Sequence, residues 1–229
     1  MSRSFNKISS FIKSRRRIDS DRIFVTREGT SSIDDGYNRI KDNLLCRSEE
    51  GAKVIQIESS VSGEGKASLT ANLAVSLSFN GKRVAVVDLD FRNPKLSKIL
   101  EVEEENGIGD YVVGQVGLDR IIKTSKHGVD VITRGKEIYN SSFVLNSEKM
   151  KALISALKKD YDFVLISGAP ISQTSDYMHV AKISDGIILA VSSGFTKKSV
   201  ARESVALLSK LSVPLIGCVM TQIAPDLGN

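Results

Sequence analysis

The most constraining feature of this sequence is an apolar run that leads into a glycine-rich turn and then into a helical pattern. Residues 53–59 read KVIQIES, residues 60–65 read SVSGEG, and residues 66–80 continue with small and apolar residues at helical spacing. A strand, a glycine turn and a helix in this order are typical of a β-α-β unit, which places the helix N-terminus at the carboxyl edge of a parallel sheet. We therefore expect a ligand site at this turn.

The turn has the residues that a phosphate-binding loop requires. Glycine allows backbone N–H groups to point at phosphate oxygens, the helix N-terminus contributes the positive end of its dipole, and a lysine supplies a point charge. Lys66 follows Gly65 directly in the sequence GEGKAS. The residues that we expect to bind a nucleotide are Ser62, Gly63, Glu64, Gly65, Lys66, Ala67 and Ser68, together with Arg92 further along the chain.

Strand-like and helix-like patterns alternate along the rest of the chain. The strand-like runs are rich in β-branched residues, as is typical of strands buried on both faces, and occupy residues 53–59, 83–90, 129–135, 162–170, 186–194 and 214–221. Helical patterns occupy residues 66–80, 147–159 and 197–211, and we expect Asn146 to cap the second of them. This alternation predicts an α/β fold with a doubly wound, mainly parallel sheet and helices on both faces, as in P-loop NTPases.

Two carboxylates follow the second predicted strand, in the sequence VVDLDFRNP. Asp88 and Asp90 are two residues apart, so their side chains share one face of the strand or of its end. Ligands of doubly wound sheets bind at this edge, and two carboxylates held together there need a positive partner. Mg²⁺, Lys66 and Arg92 are the candidates; the alternative is that both acids are solvated ahead of a loop.

The net charge of +5 is concentrated at the N-terminus. Six of the 32 basic residues fall within residues 1–18, which contain no acidic residue, so the rest of the chain is close to neutral. A nearly neutral body argues against a nucleic-acid partner. We divide the chain into a basic, flexible tail of residues 1–29 and a domain of residues 30–229.

The spacing of Phe5, Ile8 and Ile12 allows two interpretations of the tail. One is an amphipathic segment attracted to an anionic membrane face, and the other is a solvated arm. No apolar run approaches the roughly 20 residues needed to span a bilayer, so we expect a cytoplasmic protein, at the inner face of the plasma membrane if the first interpretation holds. Cys46 and Cys218 have no metal-binding or redox spacing, and we expect reduced thiols in the core.

These motifs, in this order, resemble the cytoplasmic P-loop domain of the bacterial tyrosine kinases of capsule and exopolysaccharide assembly. The resemblance extends over roughly residues 30–222 and is carried by SSVSGEGKASLTANLAVSLSFNGKRVAVVDLDFRNPKL, GIGDYVVGQ, VITRG, SEKMKALISALKKDYDFVLIS and ISDGIILAVSSGFT, with DDGYNRIKDNL upstream. It implies binding of ATP or ADP, Mg²⁺ as a cofactor, homo-oligomeric rings, and a membrane adaptor protein of polysaccharide polymerisation and export as partner. A chain that begins with a tail and this domain resembles the form whose adaptor is a separate protein.

Two departures from the family pattern affect the implied metal site. Where the family has a serine or threonine that holds Mg²⁺, this chain has Ala67, and where it has a metal-organising aspartate, this chain has Ser167. Ser68 does not replace the missing hydroxyl, because one residue of helix turns a side chain by about 100°. Asp88 and Asp90 remain of the metal set, so we expect a weakened or lost Mg²⁺ site.

Two further departures concern assembly and substrate. The family's oligomerisation motif is an acid and two arginines at steps of three residues, and here it reads Asp35, Asn38 and Lys41. A lysine does not reproduce the bidentate fork of an arginine, so ring formation is weakened. The family's C-terminal tyrosine cluster has no counterpart, since the last tyrosine is Tyr177.

The sequence therefore leads to one preferred function and two alternatives. The preferred one is a nucleotide-binding, kinase-like regulator with weak or absent catalysis; any remaining chemistry would use Lys66 on the phosphate, with Asp88 and Asp90 on the metal. The first alternative is an active tyrosine kinase that phosphorylates a partner. The second is a positioning-type ATPase. Val61 counts against it, because those ATPases carry a further lysine at this position.

Overall fold

The computed structural model describes residues 21–223, which form an α/β fold around a seven-stranded sheet. The strands are β1 (Val54–Ser59), β2 (Val84–Asp88), β3 (Ile122–Thr124), β4 (Asp130–Ile132), β5 (Phe163–Ser167), β6 (Gly186–Ser192) and β7 (Leu215–Thr221). Their order is β3-β4-β2-β5-β1-β6-β7, and every neighbouring pair is parallel except β3 with β4. The predicted fold class is confirmed.

Helices cover both faces of this sheet. They are α1 (Ser32–Glu49), α2 (Lys66–Phe79), α3 (Leu96–Leu100), α4 (Ile108–Val112), α5 (Leu118–Ile121), α6 (Ser141–Leu145), α7 (Glu148–Asp160), α8 (Asp176–Ala181) and α9 (Lys198–Leu208). On one face α1, α2 and α3 share a core with β1, and on the other α7 and α8 pack against β5. Within residues 21–223, no helix is long and apolar enough to cross a membrane.

The central position of β1 explains why the strand is buried along its whole length. All six residues of β1 are buried, because β5 and β6 flank the strand and helices cover it on both sides. Gln56 and Glu58, which alternate with apolar residues of the strand, are buried with them. The same placement sets the loop after Ser59 at the middle of the carboxyl edge of the sheet.

The predicted cap of the helix at residues 147–159 is wrong by one residue. Ser147 is the N-cap of α7 and accepts a hydrogen bond from the Met150 N–H, whereas Asn146 ends the preceding helix α6. Asn146 instead donates to the Ser142 carbonyl at 2.7 Å. A short helix immediately upstream had no apolar period long enough to be recognised, so the cap of one helix was taken from the end of another.

The prediction that both cysteines lie in the core is also wrong. Cys46 and Cys218 are exposed, the first on α1 and the second on β7. β7 lies at the edge of the sheet and its residues alternate between partial burial and exposure, so an apolar-looking strand keeps one side in water.

The described residues begin upstream of the predicted domain boundary at residue 30. Residues 1–20, with the predicted amphipathic segment, lie outside the described residues. Asn72 of α2 fastens the segment that follows: its Oδ1 accepts from the N–H groups of Phe24 (2.6 Å) and Val25 (3.2 Å), and its Nδ2 donates to the Arg22 carbonyl at 3.0 Å. One side chain thus serves three backbone groups of residues 22–25.

We expect Asn72→Ala to destabilise the protein by about 1–3 kcal/mol, because it leaves the N–H groups of Phe24 and Val25 without their acceptor. Urea unfolding measures the change, and the control is Asn43→Ala, an exposed asparagine whose amide donates only to the Arg39 carbonyl of its own helix. Equal losses in the two variants would show that Asn72 does not fasten the segment.

Candidate nucleotide-binding site

The loop between β1 and α2 adopts the tight turn that its glycines predict. Gly63 and Gly65 have φ angles of 88° and 77°, a region that other residues rarely adopt, and α2 begins at Lys66 directly after Gly65. Glycine is needed at both positions for this conformation rather than for space, since a Cβ at Gly65 would meet its nearest neighbour at 3.5 Å. The turn points the N-terminus of a 14-residue helix into a cleft.

Glu64 holds the loop in place from within the protein. Its carboxylate is buried, accepts from the Val61 N–H at 2.8 Å and accepts a hydrogen bond from the hydroxyl of Thr196. Gln222 adds a hydrogen bond to the Gly63 carbonyl at 3.1 Å. Glu64 lines the cleft, and its carboxylate ties the loop to Thr196, which lies just after β6.

Lys66 lies at the bottom of this cleft with its ammonium group almost fully buried. Its Nζ is 3.4 Å from Asp90 Oδ2 and 3.2 Å from Ser167 Oγ, and the lysine is 6% exposed. The ammonium therefore joins the first turn of α2 to the carboxyl ends of β2 and β5. Arg92, the other candidate cation, donates to the Gln173 carbonyl at 2.8 Å and does not line the cleft.

Asp88 organises the loop that follows β2. Its Oδ2 accepts from the N–H groups of Lys95 (2.9 Å) and Leu96 (3.0 Å), and its Oδ1 accepts from the Asp90 N–H at 3.2 Å. Burial raises the pKa of the Asp88 carboxyl to about 6, while the two backbone N–H groups and the Lys66 ammonium act in the opposite direction. Three backbone donors thus hold a carboxylate for which the sequence suggested Mg²⁺, Lys66 or Arg92 as partner.

The residues around the cleft fit the phosphates of a nucleotide better than they fit Mg²⁺. Ala67 presents a methyl group, Ser167 accepts a hydrogen bond from Lys66, and Asp90 is paired with the same lysine. Among the residues that the structure describes, no three histidine, cysteine or acidic side chains are grouped to hold a metal ion. Magnesium needs near-octahedral oxygen coordination, to which the Ala67 side chain adds no oxygen.

An apolar pocket adjoins the cleft on the side of β7. The two share Gly65 and Ser68 of the loop and of α2. The pocket is lined mainly by large apolar and aromatic side chains, which include Phe24, Ile33, Tyr37, Ile40, Leu69, Met220 and Ile223. A polar cleft joined to an apolar pocket offers one surface for phosphates and another for a flat base.

Sequence reasoning missed a further buried carboxyl beside the site. Glu58 of β1 is fully buried and accepts from Gln56 Nε2 at 2.7 Å through Oε1, while Oε2 has no hydrogen-bond partner among residues 21–223. Gly168 leaves room for it, since a Cβ there would lie 2.0 Å from Glu58 Oε1. Burial raises the pKa of Glu58 to about 8. An acid inside an apolar run was the only signal in the sequence.

Comparison with known proteins agrees with this geometry. The family model described as "AAA domain" matches residues 52–206. The chain is 29% identical over 201 residues to the tyrosine-protein kinase YwqD of Bacillus subtilis. The aligned region covers 86% of this chain and 84% of YwqD. It is 25% identical over 185 residues to the succinoglycan biosynthesis transport protein ExoP of Rhizobium meliloti, with coverage of 79% of this chain and 23% of that one.

Solved structures share the fold. The chimerical protein CapA2B2 superposes with a TM-score of 0.81 at 23% identity. The superposition covers 87% of this chain and 91% of the CapA2B2 chain. The septum site-determining protein MinD of Pyrococcus horikoshii, in complex with Mg-ADP, superposes with a TM-score of 0.61 at 26% identity. The superposition covers 72% of this chain and 68% of the MinD chain.

The fold and the cleft define a P-loop protein of the AAA domain family. Within that family, the chain belongs to the bacterial tyrosine-kinase-like proteins, in agreement with the resemblance seen in the sequence.

We expect the stability of the wild-type protein to fall between about pH 5 and pH 8, by on the order of 1 kcal/mol per pH unit. The folded-state pKa of Glu58 lies above its unfolded value of 4.5, so the stability linked to its proton is complete below that value and is lost as the pH rises through about 8. Glu58→Gln keeps the shape and removes the proton.

Urea unfolding across this pH range tests the prediction. Glu58→Gln should match the wild type near pH 5 and exceed it in stability at pH 8. If both proteins show the same pH dependence, burial does not keep Glu58 protonated.

Proposed function

We propose that this protein binds ATP or ADP at the loop of residues 62–68 and acts as a regulatory, catalytically weakened member of its family. Its setting is the assembly of capsule or exopolysaccharide, as the names of relatives such as ExoP suggest. The observation that carries the proposal is the buried Lys66 ammonium between Asp90 and Ser167, in a cleft where Ala67 and Ser167 offer no metal ligand of the expected kind.

Phosphate binding does not depend on the metal. The loop and the N-terminal residues of α2 line the cleft, where backbone N–H groups can bind phosphate oxygens, and Lys66 supplies a full positive charge. A phosphate oxygen that replaces Asp90 as the partner of Lys66 keeps the ammonium neutralised. The apolar pocket next to Gly65 and Ser68 would take the base. These contacts support the binding of a nucleoside di- or triphosphate.

Catalysis depends on the metal more strongly. Phosphoryl transfer is promoted mainly by positioning and by neutralisation of charge. Loss of one preorganised electrostatic partner typically costs a factor of ~10²–10³ in rate. Ala67 and Ser167 remove two such partners, although losses within one unit do not simply multiply. Binding should therefore survive the substitutions and catalysis should not.

The partner would be a membrane adaptor protein at the inner face of the plasma membrane, and self-association would be weak. α1 carries the residues of the oligomerisation motif, but Lys41 is buried and donates to Asn38 Oδ1 at 2.8 Å. The Lys41 ammonium group thus forms its hydrogen bond within its own helix rather than with a neighbouring chain, whereas Asp35 is exposed. This internal pairing supports a regulator that does not itself build stable rings.

We expect wild-type protein to bind ADP with little dependence on Mg²⁺, and the double variant Ala67→Ser/Ser167→Asp to bind it at least about tenfold more tightly with Mg²⁺ than without. The new hydroxyl and carboxylate would restore oxygen ligands at both walls of the cleft. Calorimetric titrations with and without Mg²⁺ give the four affinities.

Lys66→Met is the control for these titrations and should abolish binding in both backgrounds. Strong and equal Mg²⁺ dependence in the wild type and the double variant would contradict a weakened metal site. Failure of the wild type to bind ADP under either condition would contradict nucleotide binding itself.

We expect no transfer of labelled phosphate from ATP to a tyrosine-rich substrate peptide above the background given by Lys66→Met. The alternative function, an active tyrosine kinase acting on a partner, requires labelled phosphotyrosine that disappears in this variant. ATP-dependent dimers detected by light scattering would instead favour a positioning-type ATPase, the function suggested by the similarity to MinD.

A further inference from the structure

Lys95 is a second cation at the cleft, and the motifs in the sequence do not single it out. Its backbone N–H donates to Asp88 Oδ2 at 2.9 Å, which fixes the residue at the N-terminal end of α3. Its side chain lines the cleft and is 38% exposed, whereas Lys66 at the bottom is 6% exposed. The two lysines therefore occupy the mouth and the floor of the same cleft.

Asp21 covers this outer cation. Its carboxylate oxygens lie 3.1 Å and 3.3 Å from Lys95 Nζ, and Asp21 itself lines the cleft. Lys98 approaches the same carboxylate only to 3.9 Å, is 75% exposed and does not line the cleft. The charge that a phosphate would meet first is thus neutralised by an acid of the same chain.

The segment that presents Asp21 touches both halves of the proposed nucleotide site. Asp21 lies at the polar cleft, and Phe24, three residues later, lines the apolar pocket. Between them the backbone is fastened to α2 through Asn72. A fixed anchor holds the Asp21 carboxylate at the cleft, so its contact with Lys95 is positioned by the fold rather than by a freely moving chain end.

We propose that Lys95 is a phosphate-binding residue of this site and that Asp21 masks it until a polyphosphate displaces the carboxylate. The inference rests on the proposed function, since it requires a nucleotide in the cleft. A phosphate group carries more negative charge than a carboxylate and forms charge-assisted hydrogen bonds of the same kind, so it competes with Asp21 for the ammonium. Asp21 thereby lowers the affinity of the resting site.

Calorimetric titration of ADP at low ionic strength tests this in four proteins: wild type, Asp21→Asn, Lys95→Gln and the double variant. An exposed ion pair is worth up to about 1 kcal/mol, so Asp21→Asn should tighten binding about two- to fivefold. Lys95→Gln should weaken binding, and in its background Asp21→Asn should have no further effect, because the cation that it unmasks is gone.

Asp42→Asn and Lys98→Gln are the matched controls. They make the same changes of charge at an exposed position of α1 and at a lysine outside the cleft, and both should leave the affinity within about twofold of the wild type. A tightening by Asp21→Asn that persists in the Lys95→Gln background would overturn the proposal, as would a loss in Lys98→Gln equal to that in Lys95→Gln.

Failure of the masking proposal and failure of the proposed function give different results. If the wild type binds ADP and Asp21→Asn does not tighten it, masking by Asp21 is wrong and nucleotide binding stands. If none of the six proteins binds ADP, the proposed function is wrong and the masking proposal is wrong with it.

Discussion

A buried ammonium group must have partners, and the contacts of Lys66 with Asp90 and Ser167 are the interaction on which this site depends. Through them the glycine turn, the start of α2 and the ends of β2 and β5 are held together at one point. The parallel sheet makes this possible, because it brings the carboxyl ends of strands that are distant in sequence to one edge. A bound polyphosphate would pair with the same ammonium group.

Binding of phosphate and catalysis of its transfer place different demands on such a cleft. Backbone N–H groups and a lysine suffice for the first, and they come from the fold of the loop itself. The second depends on oxygen ligands for a divalent ion, and these depend on individual side chains such as those at positions 67 and 167. In the function proposed here, substitution of those side chains would weaken catalysis and leave the nucleotide site available for regulation.

The fold could be read from the sequence more completely than the site could. The six strand-like runs correspond to strands because each is rich in apolar and β-branched residues. β3 was missed, because its three residues at the edge of the sheet carry no such pattern. The glycine turn and Lys66 followed from local chemistry. The bracing role of the Glu64 carboxylate did not, since Thr196 is 132 residues away in sequence. Lys95 and Asp21 meet across 74 residues, and only the folded chain brings their opposite charges together.

A structure of the protein crystallised with Mg²⁺ and a non-hydrolysable ATP analogue tests the central claim most directly. The account predicts an occupied cleft in which Lys66 has exchanged Asp90 for a phosphate oxygen, with the base in the apolar pocket and no protein-held octahedral ion. A cleft that stays empty at saturating analogue, or a fully coordinated Mg²⁺ bound by Asp88 and Asp90, would contradict it.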